Sequence, residues 1–176
     1  FTQLLVDLAA TKFADKIGYR ICVIVSQIVS SVGLILMAIL PEVLSAPFVG
    51  IIISVVLYAI GSGLVEVLLS PIVEACPFEN KDGMMSLLHS FYCWGQILVV
   101  LLTTLAIFVF GLSVWRLLSL LWAVIPLFNG FFFMKVTVVE EEPPEQRTPL
   151  GTIIKNKTFF LIAVLMFAAG AAELAM

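Results

Sequence analysis

Charge is what this sequence has least of. Only 12% of its 176 residues are Asp, Glu, Lys or Arg, against 62% hydrophobic residues, and the mean hydropathy is +1.18. Soluble domains are about half apolar and about a quarter charged, so a water-soluble fold is excluded and the class is an integral membrane protein. Histidine is nearly missing as well, His89 being the sole one, and Cys22, Cys76 and Cys93 show no metal-ligand spacing. Two of those cysteines fall in apolar runs and read as reduced, packed thiols. There is no His-Glu-x-x-His, Gly-x-Ser-x-Gly or paired-cysteine motif. Little chemistry is left for an enzyme, so no catalytic activity, cofactor or metal is expected. Nucleic acid is not an expected partner. The net charge of -3 carries little information, because placement of Lys and Arg matters more than their sum in a membrane protein.

What the sequence does have is a succession of long apolar runs. Residues 1–13 read as the last turns of a helix, followed by a charged hinge over residues 15–20. Span A covers residues 21–40, which at about 1.5 Å per residue crosses a hydrocarbon core of about 30 Å. Pro41 is expected to end it. Span B covers residues 48–73, a polar loop residues 74–83, span C residues 84–110, a tight turn residues 111–114, and span D residues 115–134. Residues 137–157, with the run Glu140-Glu141-Glu142-Pro143-Pro144-Glu145, read as an extended, solvated linker. Within it Thr148-Pro149 fits the cap of a short surface helix. Span E opens at Thr158 and stops at Met176. Since the chain starts at Phe1 and ends inside an apolar run, it reads as an internal piece of a longer protein.

Basic residues set the orientation. Lys12, Lys16 and Arg20 precede span A, Lys81 lies between B and C, and Lys135, Arg147, Lys155 and Lys157 lie between D and E. With alternating spans, eight of the nine Lys and Arg residues share one side, and only Arg116 falls opposite. The positive-inside rule makes this a multi-pass cell-membrane protein with residues 12–20, 74–83 and 135–157 cytoplasmic. The sequon Asn156-Lys157-Thr158 would go unmodified on that side.

Between residues 48 and 73 the only charged residue is Glu66. A carboxylate in hydrocarbon costs a few kcal/mol, so it is expected to face a bundle interior or a wet cavity and to serve function. The plainer alternative is a glutamate paired to a neighbouring helix for packing specificity. Gly63, Glu66, Ser70 and Glu74 follow at i, i+3, i+7 and i+11, one helical stripe on which Gly63 permits close approach and Pro71 loosens the backbone. Span C carries a second polar stripe, Ser86, His89, Cys93 and Gln96. His89 suits either a proton relay or a packing residue bonded to a carbonyl. Tyr92 and Trp94 suit stacking on a ligand's ring or contact with lipid. Gly63-Leu64-Val65-Glu66 recurs as Gly170-Ala171-Ala172-Glu173 three spans later, the kind of echo that three-helix repeats leave.

The run Thr11-Lys-Phe-Ala-Asp15-Lys16-Ile-Gly18-Tyr-Arg20 resembles the signature loop of the major facilitator superfamily, Gly-x-x-x-Asp-Arg/Lys-x-Gly-x-Arg/Lys, with Thr11 at the first glycine. The resemblance implies an all-α membrane protein, a major facilitator-type helical bundle. The chain would run from the end of helix two to the start of helix seven of a presumed twelve. Residues 1–136 would belong to the N-terminal six-helix half, residues 137–157 to the cytoplasmic linker between halves, and residues 158–176 to helix seven. Asp15, Lys16, Gly18 and Arg20 would form the loop that governs conformational switching. Span A and span D would be peripheral helices, with Ser26, Gln27, Ser30, Ser31, Trp122 and Asn129 bonding between helices.

A narrower likeness follows. Gly61-x-Gly63-x-x-Glu66-x-x-x-x-Pro71 with Leu87-Leu-His89-Ser-Phe-Tyr92-Cys93-Trp94-Gly-Gln96 resembles the fucose permease–like branch, whose members are proton-coupled sugar carriers. It implies secondary transport of a small polar solute, a monosaccharide, by proton-coupled alternating access. Glu66 would be the proton or substrate site, Ser70, His89 and Gln96 would supply hydrogen bonds, and Glu173 would be the counterpart across the two halves. The expected partners are the solute, protons, the lipid bilayer and the remainder of the same chain. The rival readings are a non-transporting sensor on this fold and a carrier of a non-sugar solute.

Overall fold

The computed structural model describes Leu5, Val6, Ala10, Ala14, residues 17–136, Val138, residues 156–162, Val164, Leu165 and Ala168. The chain divides into two units, Phe1–Glu141 and Glu142–Met176. Asp15, Lys16, Glu173, the Thr148-Pro149 cap and nearly all of the acidic linker lie outside the described residues.

Four long helices carry the first unit: α1 Tyr19–Val43, α2 Pro47–Ala75, α3 Lys81–Phe110 and α4 Trp115–Lys135, with a 3-10 turn at Leu112–Val114. Among the described residues there is no strand. All four helices are long and apolar enough to cross a membrane. Their ends follow local chemistry. Ala14 and Ile17 are helical, and the Gly18 N–H bonds the Ala14 carbonyl at 2.9 Å. Gly18 then turns the chain at φ 91°, a region that disfavours side chains, and α1 starts on the next residue. Pro47 opens α2 at a position where the missing N–H costs nothing. Asn80 caps α3 by accepting from Gly83 N–H at 2.9 Å, and Asp82 suits the positive end of that helix. This cap starts α3 at Lys81, three residues ahead of the apolar run. The polar connection thereby shrinks to residues 76–80. Gly111, at φ 81°, ends α3.

The end of span A differs from expectation as well. Pro41 does not end span A, since α1 continues to Val43. The proline forfeits only its own N–H, and the Leu44 N–H still reaches the Leu40 carbonyl at 3.0 Å.

The unit is built on α1. Its buried residues are Tyr19, Cys22, Val23, Ser26, Gln27, Ser30, Ser31, Gly33 and Ala38, whereas α3 has none. Lipid tails give helices no hydrophobic reason to associate, so small residues that permit close backbone approach decide the pairing. Ser26, Ser30 and Gly33 of α1 meet Tyr58 and Gly61 of α2, and the Leu40 backbone meets Gly50. A second face of α1, roughly 120° around at 100° per residue, takes α4. There Ser31 Oγ donates to the Ala123 carbonyl at 2.9 Å, and Gln27 lies against Gly130. Ala14, Tyr19, Cys22, Val23 and Leu68 form an apolar cluster at the Arg20 end, with Ile72, Phe133 and Val138 packed on it.

In the second unit, residues 157–162 are helical. Asn156 opens this helix: its side-chain oxygen accepts from Thr158 N–H at 2.9 Å, and its carbonyl accepts from Phe160 N–H at 3.1 Å. The sequon asparagine is thus a helix cap, a role its neighbours alone do not reveal.

Candidate functional site

The orientation of α2 is set by Gly50, Ser54, Gly61 and Leu68, all buried and spaced by four, seven and seven residues. At 100° per residue, Glu66 stands about 140° around the helix from Gly61, on the flank turned away from α1. It is exposed there, and Ser70, about 40° further round, is half-buried. Gly63 is buried, so the stripe running through Glu66 spans a packed and an open side. Pro71 has no N–H to offer the Val67 carbonyl, which loses its donor within the helix one residue from Glu66. The flank therefore combines a carboxylate, a hydroxyl and a backbone carbonyl.

The second polar stripe stands on α3, where Ser86, His89, Cys93 and Gln96 are all exposed. Gln96 and Thr104, with Ile97, Val100 and Leu101, line a shallow groove of about 440 Å³. α3 is tied to α4 by Trp122 Nε1, which donates to Thr103 Oγ1 at 3.0 Å. The structure therefore groups Glu66 with Ser70 and His89 with Gln96, each pair along one helix. It does not pack the two pairs into one buried cluster, since α3 contributes no buried residue.

The serines of α1 divide by role. Ser31 and Trp122 bond between helices, while Ser26 Oγ turns back to its own Val23 carbonyl at 2.6 Å, as Ser54 does to Gly50 at 2.8 Å. Of the loop residues, Gly18 makes the turn and Arg20 donates to the Phe133 and Met134 carbonyls at the end of α4. At the opposite end of the same helix pair, Arg116 forms an ion pair with Glu42. Both ion-pair side chains are near half-exposed, at 41% and 55%, which keeps the contribution to about 1 kcal/mol or less. Sequence reasoning singled out Arg20 and Arg116 but missed their partners, more than seventy positions away. The usable signal was that each flanks a turn on the same side as its partner.

No curated protein and no solved structure matches the chain. The chain matches the Major Facilitator Superfamily across residues 1–176, four helices among its described residues are long and apolar enough to cross a membrane, and it belongs to that family of membrane transporters.

Proposed function

We propose that this chain is part of a secondary carrier that moves a small polar solute, a monosaccharide, together with protons by alternating access. Glu66 carries the reading. It is the only charged residue of the span over residues 48–73, and it sits on the flank of α2 that α1 leaves open. Binding a proton neutralises the carboxylate and lifts the cost of a charge in hydrocarbon, so protonation and access to water are naturally linked there. Ser70 on the same flank, and His89 and Gln96 on α3, have the hydrogen-bonding groups that a hydroxyl-rich solute needs. The likeness of residues 61–71 and 87–96 to fucose permease–like carriers supports a sugar. The basic asymmetry supports a cell-membrane protein with residues 12–20, 74–83 and 135–157 in the cytoplasm. Residues 137–157 then link the two halves, Glu173 mirrors Glu66, and no chemical reaction is catalysed.

The test uses the full-length carrier in vesicles with labelled fucose. Glu66→Gln mimics the protonated side chain with little change in shape. It is expected to abolish proton-driven accumulation while leaving exchange of labelled for unlabelled fucose, a process in which no proton need leave. Accumulation against the gradient with normal pH dependence in that variant would make Glu66 a packing residue.

A further inference from the structure

The last turn of α4 ends with carbonyls that its own helix cannot satisfy. Val136 N–H bonds the Phe132 carbonyl at 3.2 Å, so Phe133, Met134 and Lys135 are left without a donor from the helix. One side chain from more than a hundred residues earlier meets two of these. Arg20 Nε donates to the Phe133 carbonyl at 3.4 Å, and its terminal nitrogen donates to the Met134 carbonyl. A guanidinium suits the position twice over: its planar fork spans two acceptors, and its charge lies at the negative end of the helix dipole. Just past the helix, Val138 packs on the cluster of Ala14, Tyr19, Cys22, Val23 and Leu68. The chain leaving α4 is held at two points: a polar one on Arg20, and an apolar one on a cluster that Tyr19, Cys22 and Val23 of α1 share with Ala14 and with Leu68 of α2.

We propose that Arg20 is a positioning residue that clasps the end of α4 to the start of α1, so that the exit of the chain from the first unit moves with α1. The clasp accounts for an arginine at this position, where a role in orientation asks only for positive charge. Its consequence for transport rests on the carrier reading above, whereas its structural content does not.

Hydrogen exchange and transport of the full-length protein in lipid nanodiscs and vesicles test the two parts separately. In Arg20→Gln, the amides of residues 133–136 are expected to exchange about tenfold faster, the loss of a hydrogen bond to a charged donor, while those of residues 119–123 stay unchanged. Maximal exchange of labelled fucose should fall several-fold at constant KM, and Arg20→Lys should restore part of both. Val138→Ala, which keeps the charge, should speed the same amides and serves if Arg20→Gln does not fold. Unchanged exchange at residues 133–136 in the folded Arg20→Gln or Val138→Ala protein overturns the clasp. Faster exchange there with unchanged maximal flux overturns its coupling to transport. A wild-type protein that carries neither fucose nor any other monosaccharide offered sinks the sugar reading alone, and the amides still decide the clasp.

Discussion

At Gly61 a methyl group would sit 2.3 Å from Ser30 Oγ and 2.5 Å from the Ser30 backbone nitrogen. The hydroxyl can rotate away but the backbone cannot, so α1 and α2 would have to separate. Gly61→Ala is expected to destabilise the full-length protein by about 1–3 kcal/mol, the usual cost of overpacking. Gly95, on α3, has nothing within 4 Å. There the same change should be neutral or should stabilise by up to about 1 kcal/mol, because alanine favours helix. Thermal unfolding in detergent separates the two, and equal shifts would mean that Gly61 is not a contact point. The sequence pointed to Gly63 for close approach because it lies one turn from Glu66. Spacing from Ser54 and Leu68 would have picked Gly61 instead, since a period of seven keeps a residue on the packed face.

The helices themselves were legible, because a run long enough to span and nearly free of charge has few other structures open to it. Their ends were less so. Asn80 extended α3 through a side-chain cap, and Pro41 was absorbed in a last turn that lost one bond. Which helix the others pack on was not legible at all. An apolar helix in lipid is apolar on every side, so hydropathy cannot tell a packed face from a lipid face. In this unit the serines and glycine of span A make it the most buried helix. The candidate site was half legible. Glu66 stood out as a charge without water, but its outward flank depends on how α2 rolls against α1. The direction of α3 through the membrane can be checked at its two ends. Asp82→Cys and Leu112→Cys both place a thiol at an exposed position. In intact cells an impermeant thiol reagent should label the second and spare the first, and the reverse pattern would invert the orientation.

Because α2 and α4 dock on separate faces of α1, the stability of the first unit should divide between two nearly independent accounts of free energy. Ser31, on the α4 side, and Leu40, which faces Gly50 on the α2 side, are about 13 Å apart along α1 at 1.5 Å per residue. Sites at such a distance add within about 0.5 kcal/mol. Ser31→Ala and Gly50→Ala should therefore cost the double variant the sum of their single effects. Gly61→Ala and Ser30→Gly should not add, since removing the Ser30 side chain takes away part of the collision that the new methyl creates. Denaturant unfolding of the full-length protein gives both sums. Strong coupling between Ser31 and Gly50 would mean that α1 transmits strain from one neighbour to the other, and that the three helices respond to load as a single beam.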